Sequence, residues 1–297
     1  MAEAAARARD EPALSDIQLE STTIPARDGY RLAATIFRRG SGKAKRVAIV
    51  SSATAVPRRF YANYAAALAN AGYVAISYDY RGIGESRPER LRGFDATVRD
   101  WALKDMAGVV DWASETFRPD RLFMVGHSVG GQVTGLLDNS ERIDAMLTMS
   151  AQSGYWGVQG GEQKAVVGFH VYVTLPMLSN LLGYMPWSWV GSAEDLPKGA
   201  AIEWSRWCRH PDYLLGDATL PLERYQEFTA PVLAYSIDDD KWGTSRSVDR
   251  MMSAYPNVER RHLEPASVGL PSLGHFGYFR KPASAAWEEG IAWLDDF

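Results

Sequence analysis

Arg121-Leu122-Phe123-Met124-Val125-Gly126-His127-Ser128-Val129-Gly130-Gly131 is the stretch that decides how this chain folds. Residues 122–125 form an apolar run of the length and character of a parallel strand buried on both faces. The run ends in Gly-x-Ser-x-Gly, and Gly130-Gly131-Gln132-Val133 can open a helix. A serine on such a strand-to-helix turn has its hydroxyl lifted clear of the sheet, beside the free N–H groups of a helix start. Small residues are needed on both sides because the turn is strained and closely packed. The five-residue motif is weak alone; strand, elbow and helix in that order give it meaning. It makes Ser128 a candidate nucleophile and the chain a hydrolase or acyl-transfer enzyme.

The segments around this elbow alternate. Residues 21–38 read as a hairpin turning at Asp28-Gly29. Residues 46–50 and 73–80 read as strands, with a helix from Arg59 to Asn70 between them, stopped by Gly72. Asp95 to Thr116 carries Trp101, Leu103, Met106, Val109, Val110 and Trp112 at helical spacing. After the elbow a helix is expected up to Asn139, then a strand over 143–149. The pattern resumes with a strand over 231–237, a helix capped by Thr244, a last strand over 258–263 and a closing helix over 283–297. This order predicts a mostly parallel central sheet with helices on both faces.

Between Gly154 and Phe228 the rhythm stops, and Tyr and Trp crowd into short helical segments. We read 154–228 as a helical cap inserted into a core made of 21–153 and 229–297, with 1–20 a flexible N-terminus. Most cap aromatics should form the cap's own core. Trp156, Trp204 and Trp207, with Phe276 from the core, are the candidates to face a substrate.

Bulk numbers narrow the class. The 297 residues are 46% hydrophobic, enough for one large domain. A net charge of −4 with the signs mixed argues against a nucleic-acid partner. A single cysteine, Cys208, excludes an internal disulfide and a cysteine-based metal site, and suits a cytoplasmic location. The N-terminus lacks the apolar core of a secretory signal. No run reaches the ~18 apolar residues of a membrane span. Neither a metal nor an organic cofactor is expected. The partner expected is a small acyl substrate, and homo-oligomerisation is left open.

A serine hydroxyl needs a base, and the base needs an orienting acid. His275, in the Gly-flanked loop beyond the last strand, is the preferred base, with His262 second; His127 is read as a structural neighbour of the elbow. The acid should follow the 231–237 strand, where Asp240 is preferred to Asp239. The anionic intermediate needs two N–H donors. Val129 is one; Ala53, with Ser52 and Thr54 as near alternatives, is the other.

With these residues assembled, the chain resembles the α/β-hydrolase-fold serine hydrolases, within them a bacterial subgroup of predicted hydrolases that is serine aminopeptidase- or esterase-like. The carriers of the family resemblance are Asp79-Tyr80-Arg81-Gly82-Ile83-Gly84-Glu85-Ser86, the elbow, the aspartates after residue 237, and Gly274-His275; Ser51-Ser52-Ala53-Thr54 with Val56-Pro57-Arg58-Arg59-Phe60-Tyr61 carries the likeness to the subgroup. The resemblance spans residue 20 to the C-terminus. It implies a carboxylesterase-like activity on a small, largely apolar substrate through an acyl-enzyme. An aminopeptidase, thioesterase, carbon–carbon hydrolase or acyltransferase would use the same triad, and a non-catalytic receptor could share the fold. An aminopeptidase needs carboxylates to hold the substrate amine, for which Glu194, Asp195 and Glu203 are available. Two departures stand out: Ser51-Ser52 replaces the His-Gly of many relatives, and Lys241 stands where proline often follows the acid.

Overall fold

The computed structural model describes residues 17–189, 191 and 193–297. The expected flexible N-terminus lies outside them up to residue 16. Residues 17–20 already belong to the first strand.

Ten strands occur among the described residues: β1 Ile17–Pro25, β2 Arg31–Arg39, β3 Arg46–Ser51, β4 Val74–Tyr78, β5 Arg121–His127, β6 Ala145–Met149, β7 Tyr184–Met185, β8 Leu196–Pro197, β9 Val232–Ile237 and β10 Val258–Leu263. Eight form one sheet in the order β1-β2-β4-β3-β5-β6-β9-β10. β1 pairs antiparallel with β2, and β2 with β4; every other pairing in this sheet is parallel. The central strands β4, β6 and β9 are buried at every position, which explains their mainly apolar sequences, each interrupted only by one serine or threonine, Ser77, Thr148 or Ser236. The edge strand β10 instead carries Glu259, Arg260, Arg261 and His262, charges that discourage pairing with another sheet.

Helices cover both faces, as expected. One face packs against the rod 98–117 through Trp101, Met106, Val109 and Val110. The other packs against the helix Ala62–Asn70 through Tyr64 and Leu68, and against Trp287–Leu294 through Trp287, Ile291 and Leu294.

Helix boundaries differ from the sequence reading in four places. The helix expected from Arg59 opens as a 3₁₀ turn over Arg58–Tyr61 and is α-helical over Ala62–Asn70. The helix expected from Asp95 starts at Val98, because Thr97 and Asp100 close a capping box there, and it widens to a π-helix over Trp101–Met106. The helix after the elbow is α-helical only over Val129–Gln132 and tightens to a 3₁₀ turn over Val133–Leu136. The closing helix begins as a 3₁₀ turn over Lys281–Ala286 and is α-helical over Trp287–Leu294.

The insertion between β6 and β9 is mainly helical, with the short pair β7–β8 that the sequence reading lacks. Its residues Gln163–Leu182 form a 20-residue rod of mean hydropathy 1.5. By length and composition that rod could cross a membrane, although its apolar run is interrupted. One side packs inward through Val167, Val171 and Leu175, while Phe169 and Leu181 are 61% and 65% exposed.

The loop after β4 is held by ion pairs. Asp79 is fully buried, pairs with Arg58 and accepts the backbone N–H groups of Arg58 (2.6 Å) and Glu85 (3.0 Å). Arg81 bonds Asp28 through two nitrogens and also bonds Asp105. These residues shape the turn. Because the Asp79 carboxylate has no access to water, Arg58→Met should strand a buried charge and cost about 3 kcal/mol. Urea denaturation of the purified variant measures this; an unchanged midpoint would refute it.

Candidate active site

The carboxyl ends of β3, β5, β6 and β9 converge on one cavity of about 500 Å³. Such crevices are where open α/β sheets place ligands. Each segment that reaches it does so for a local reason.

Ser128 follows β5 with φ +50° and ψ −116°, outside the ordinary regions for a side chain-bearing residue. Such a conformation costs roughly 1–3 kcal/mol and needs firm support. The support is close packing. A Cβ on Gly130 would stand 2.3 Å from the Ser51 carbonyl oxygen, and one on Gly126 would stand 2.5 Å from the Gly131 backbone. The Ser128 N–H is held by the Met149 carbonyl (2.9 Å). The turn places Ser128 at the start of the four-residue helix, where the Val129 N–H cannot have an intrahelical partner.

His275 and Asp240 are in direct contact, Nδ1 to Oδ2 at 2.7 Å, with both side chains nearly excluded from solvent. Asp240 Oδ1 accepts the Trp242 and Gly243 N–H groups, both at 2.8 Å. Burial pushes the Asp240 carboxyl up, but the neighbouring imidazole and these donors outweigh it and bring it down to about 2. An ionised carboxylate only accepts, so Nδ1 of His275 carries a proton and Nε2 is the ring nitrogen left for a reacting group. Asp239 holds the same loop differently, accepting from the Ser272 hydroxyl and the N–H groups of Leu273 and Gly274. His262, the second-choice base, is turned to Ser236 and Asp238.

Ser128 and His275 line the same cavity. The hydrogen bond of the Ser128 hydroxyl goes to Gln152 Oε1 at 3.4 Å. Gln152 also accepts from Gln132 Nε2 (3.2 Å), and Tyr213 Oη in turn donates to Gln132 Oε1 (2.9 Å).

Ala53 does line the cavity, but its N–H donates to the buried Tyr61 hydroxyl at 2.8 Å. The next residue, Thr54, also lines the cavity, and no partner for its N–H occurs among the described residues. Of the aromatic candidates, Trp204 and Phe276 reach the cavity wall. Trp207 is buried and donates to Asp217, and Trp156 packs on Tyr155 and Tyr172. Phe60, Trp187 and Trp242 line the wall where the sequence reading had not placed them. Trp242 lies two residues past Asp240, and Phe60 opens the helix after the β3 loop, so proximity to the chemistry was the available signal.

His127 is fully buried beside the nucleophile, and burial holds its ring down to about 3. Among the described residues, no carboxylate lines the cavity. Glu194 bonds Arg59 and the Gly84 N–H, Asp195 bonds Ser188, and Glu203 bonds Arg99. No group of three or more His, Cys, Asp or Glu among the described residues is placed to hold a metal ion.

The profile of the family described as "Serine aminopeptidase, S33" matches residues 43–185, from β3 through the elbow into the insertion. No curated protein matches. Solved structures do. A hypothetical protein from Pseudomonas aeruginosa superposes with TM-score 0.66 at 12% identity, covering 95% of this chain and 94% of its own. Est1E from Butyrivibrio proteoclasticus, solved with ferulic acid bound, gives 0.62 at 15%, covering 93% and 98%. An esterase from Exiguobacterium antarcticum gives 0.59 at 14%, covering 93% and 100%. At these identities the likeness is one of fold, and the fold is that of the α/β hydrolases.

The low value at Asp240 links the site to stability. Its folded-state value lies below the ordinary carboxylate range, so its contribution is present above about pH 4 and lost as pH falls toward about 2. Between those limits the wild type should lose about 2 kcal/mol more than Asp240→Asn. Urea midpoints at pH 5 and pH 2.5 test this; parallel losses would contradict it.

Proposed function

We propose that this chain, an α/β hydrolase of the serine type, cleaves an ester or related acyl bond of a small, largely apolar substrate through an acyl-enzyme on Ser128. One observation carries the reading: a His275–Asp240 pair, oriented through Nδ1, shares a cavity with a serine held in a strained elbow.

The steps follow from the side chains. The long bond to Gln152 holds the serine hydroxyl weakly, so turning it toward His275 costs little. His275 Nε2 takes the proton while Oγ bonds the acyl carbon. Asp240 steadies the imidazolium that forms. The carbonyl oxygen gains charge and is met by two N–H groups, Val129 at the helix start and Thr54 in the β3 loop. Thr54 takes the place first given to Ala53, whose N–H is spent on Tyr61. The imidazolium then protonates the leaving alkoxide. Water, deprotonated by the same ring, adds to the acyl carbon; the acyl–Oγ bond then breaks, the ring returns the proton to Ser128 Oγ, and the acid leaves.

The helical insertion acts as a cap. Its Trp187, Ala193 and Trp204, with Phe60, Trp242 and Phe276 from the core, form an aromatic-rich wall suited to apolar acyl or alcohol groups. An aminopeptidase reading lacks support, because the three carboxylates that could hold a substrate amine are engaged elsewhere.

Ser128→Ala should lower kcat on p-nitrophenyl butyrate by at least about 10⁴-fold and abolish labelling by a fluorophosphonate probe, with the melting temperature held, since alanine keeps the Cβ and the backbone geometry. Turnover retained in this variant would remove Ser128 from the mechanism.

A further inference from the structure

Behind the reactive face runs a second line of hydrogen bonds, buried from Ala53 to His127. The Ala53 N–H donates to Tyr61 Oη at 2.8 Å. Tyr61 Oη meets His127 Nδ1 at 2.8 Å. His127 Nε2 meets the backbone carbonyl of His275 at 2.9 Å. Tyr61 and His127 are both 0% exposed.

The direction of every bond is determined. The His275 carbonyl can only accept, so His127 Nε2 carries a proton. A second proton on a ring with no access to water is strongly disfavoured, so Nδ1 is bare and accepts. Tyr61 therefore donates its O–H to Nδ1, and its oxygen accepts from Ala53. Every N–H and O–H along the line has an acceptor.

The line joins three segments that are distant in sequence. Ala53 belongs to the loop after β3, His127 is the residue before Ser128, and His275 is the proposed base. Packing alone does not require the hydroxyl or the ring nitrogens. Tyr61 and His127 each pack against Phe279 with ring centres 4.9 Å apart, a contact that phenylalanine could make at either position.

We infer that Tyr61 and His127 are positioning residues, a buried strap that fixes the β3 loop and the backbone of His275 relative to Ser128. By engaging the Ala53 N–H, the strap holds that loop in the arrangement that leaves the Thr54 N–H unpartnered at the cavity. The inference rests on the hydrolase reading for its catalytic consequence but not for the existence of the strap.

Two measurements test it. In the first, amide hydrogen exchange is followed at Ala53 in wild type and Tyr61→Phe. Slow exchange in the wild type that accelerates in the variant is expected; equal rates would overturn the strap, whatever the protein catalyses. In the second, kcat and KM for p-nitrophenyl butyrate are measured in Tyr61→Phe, His127→Leu and the double variant. Each single change should lower kcat by about tenfold to a hundredfold, with KM moving less than about threefold. The double variant should be no more than about threefold worse than the poorer single, because one strap can be cut only once. His127→Gln, which keeps an N–H donor toward the His275 carbonyl, should recover most of the activity lost in His127→Leu, and it serves if the leucine variant does not fold. Multiplicative losses, an unchanged kcat or a KM effect alone would overturn the positioning role. A kcat that rises in Tyr61→Phe would also overturn it, since it would mean that the Ala53 N–H, once released, serves the oxyanion itself. Wild-type protein without ester turnover would count against the hydrolase reading and leave the exchange measurement to decide the strap.

Discussion

The backbone of Ser128, held at φ +50°, is the constraint on which the rest of the site depends. A side chain-bearing residue is kept there at a cost, and only rigid surroundings can sustain it. Those surroundings are β3 and β5, paired through Ser51 and Gly126, with Gly130 packed against the end of β3 at a distance no side chain would permit. The helix start, the β3 loop and the carboxyl end of β6 are all located relative to that one turn. A looser elbow would scatter the hydroxyl and the backbone donors together.

Around this point the molecule separates tasks between its two sides. Among the described residues the cavity side carries groups with unused capacity: the serine hydroxyl on a long bond, the Nε2 of His275 and the Thr54 N–H. The buried side carries groups whose capacity is spent, from Ala53 through Tyr61 and His127 to the His275 carbonyl. Asp239 and Asp240 divide in the same manner. Asp240 touches the imidazole, while Asp239 braces the loop that presents it. Adjacent aspartates thus do different work because successive side chains leave the end of β9 in different directions.

The sheet and its helices were legible in the sequence because buried parallel strands and amphipathic helices leave strong periodic marks. The residues of the Ser128, Asp240 and His275 set could be chosen because Ser128 and Asp240 lie just past strands and His275 in the Gly-flanked loop beyond the last one. What could not be read were relations between distant side chains. Tyr61 looks like one more aromatic on a helix start, and its capture of the Ala53 N–H depends on how the β3 loop bends back. Trp156 and Trp207 looked as eligible for the cavity as Trp204, since all three stand in an aromatic-rich insertion without a clear period. Which of them turns inward is decided by partners such as Asp217 and Tyr172, contacts made by packing and not by spacing. The helix after the elbow was overestimated because Val133, Leu136 and Leu137 keep helical spacing, while the chain tightens to a 3₁₀ turn there.

The most direct test of the central claim is a crystal structure of the protein after reaction with a fluorophosphonate, whose tetrahedral phosphorus imitates the charged intermediate. The account predicts a covalent bond from Ser128 Oγ to phosphorus, with the phosphoryl oxygen within about 3 Å of the Val129 and Thr54 nitrogens and His275 Nε2 turned toward the serine oxygen. An adduct on another residue, or a phosphoryl oxygen pointing away from both nitrogens, would contradict it.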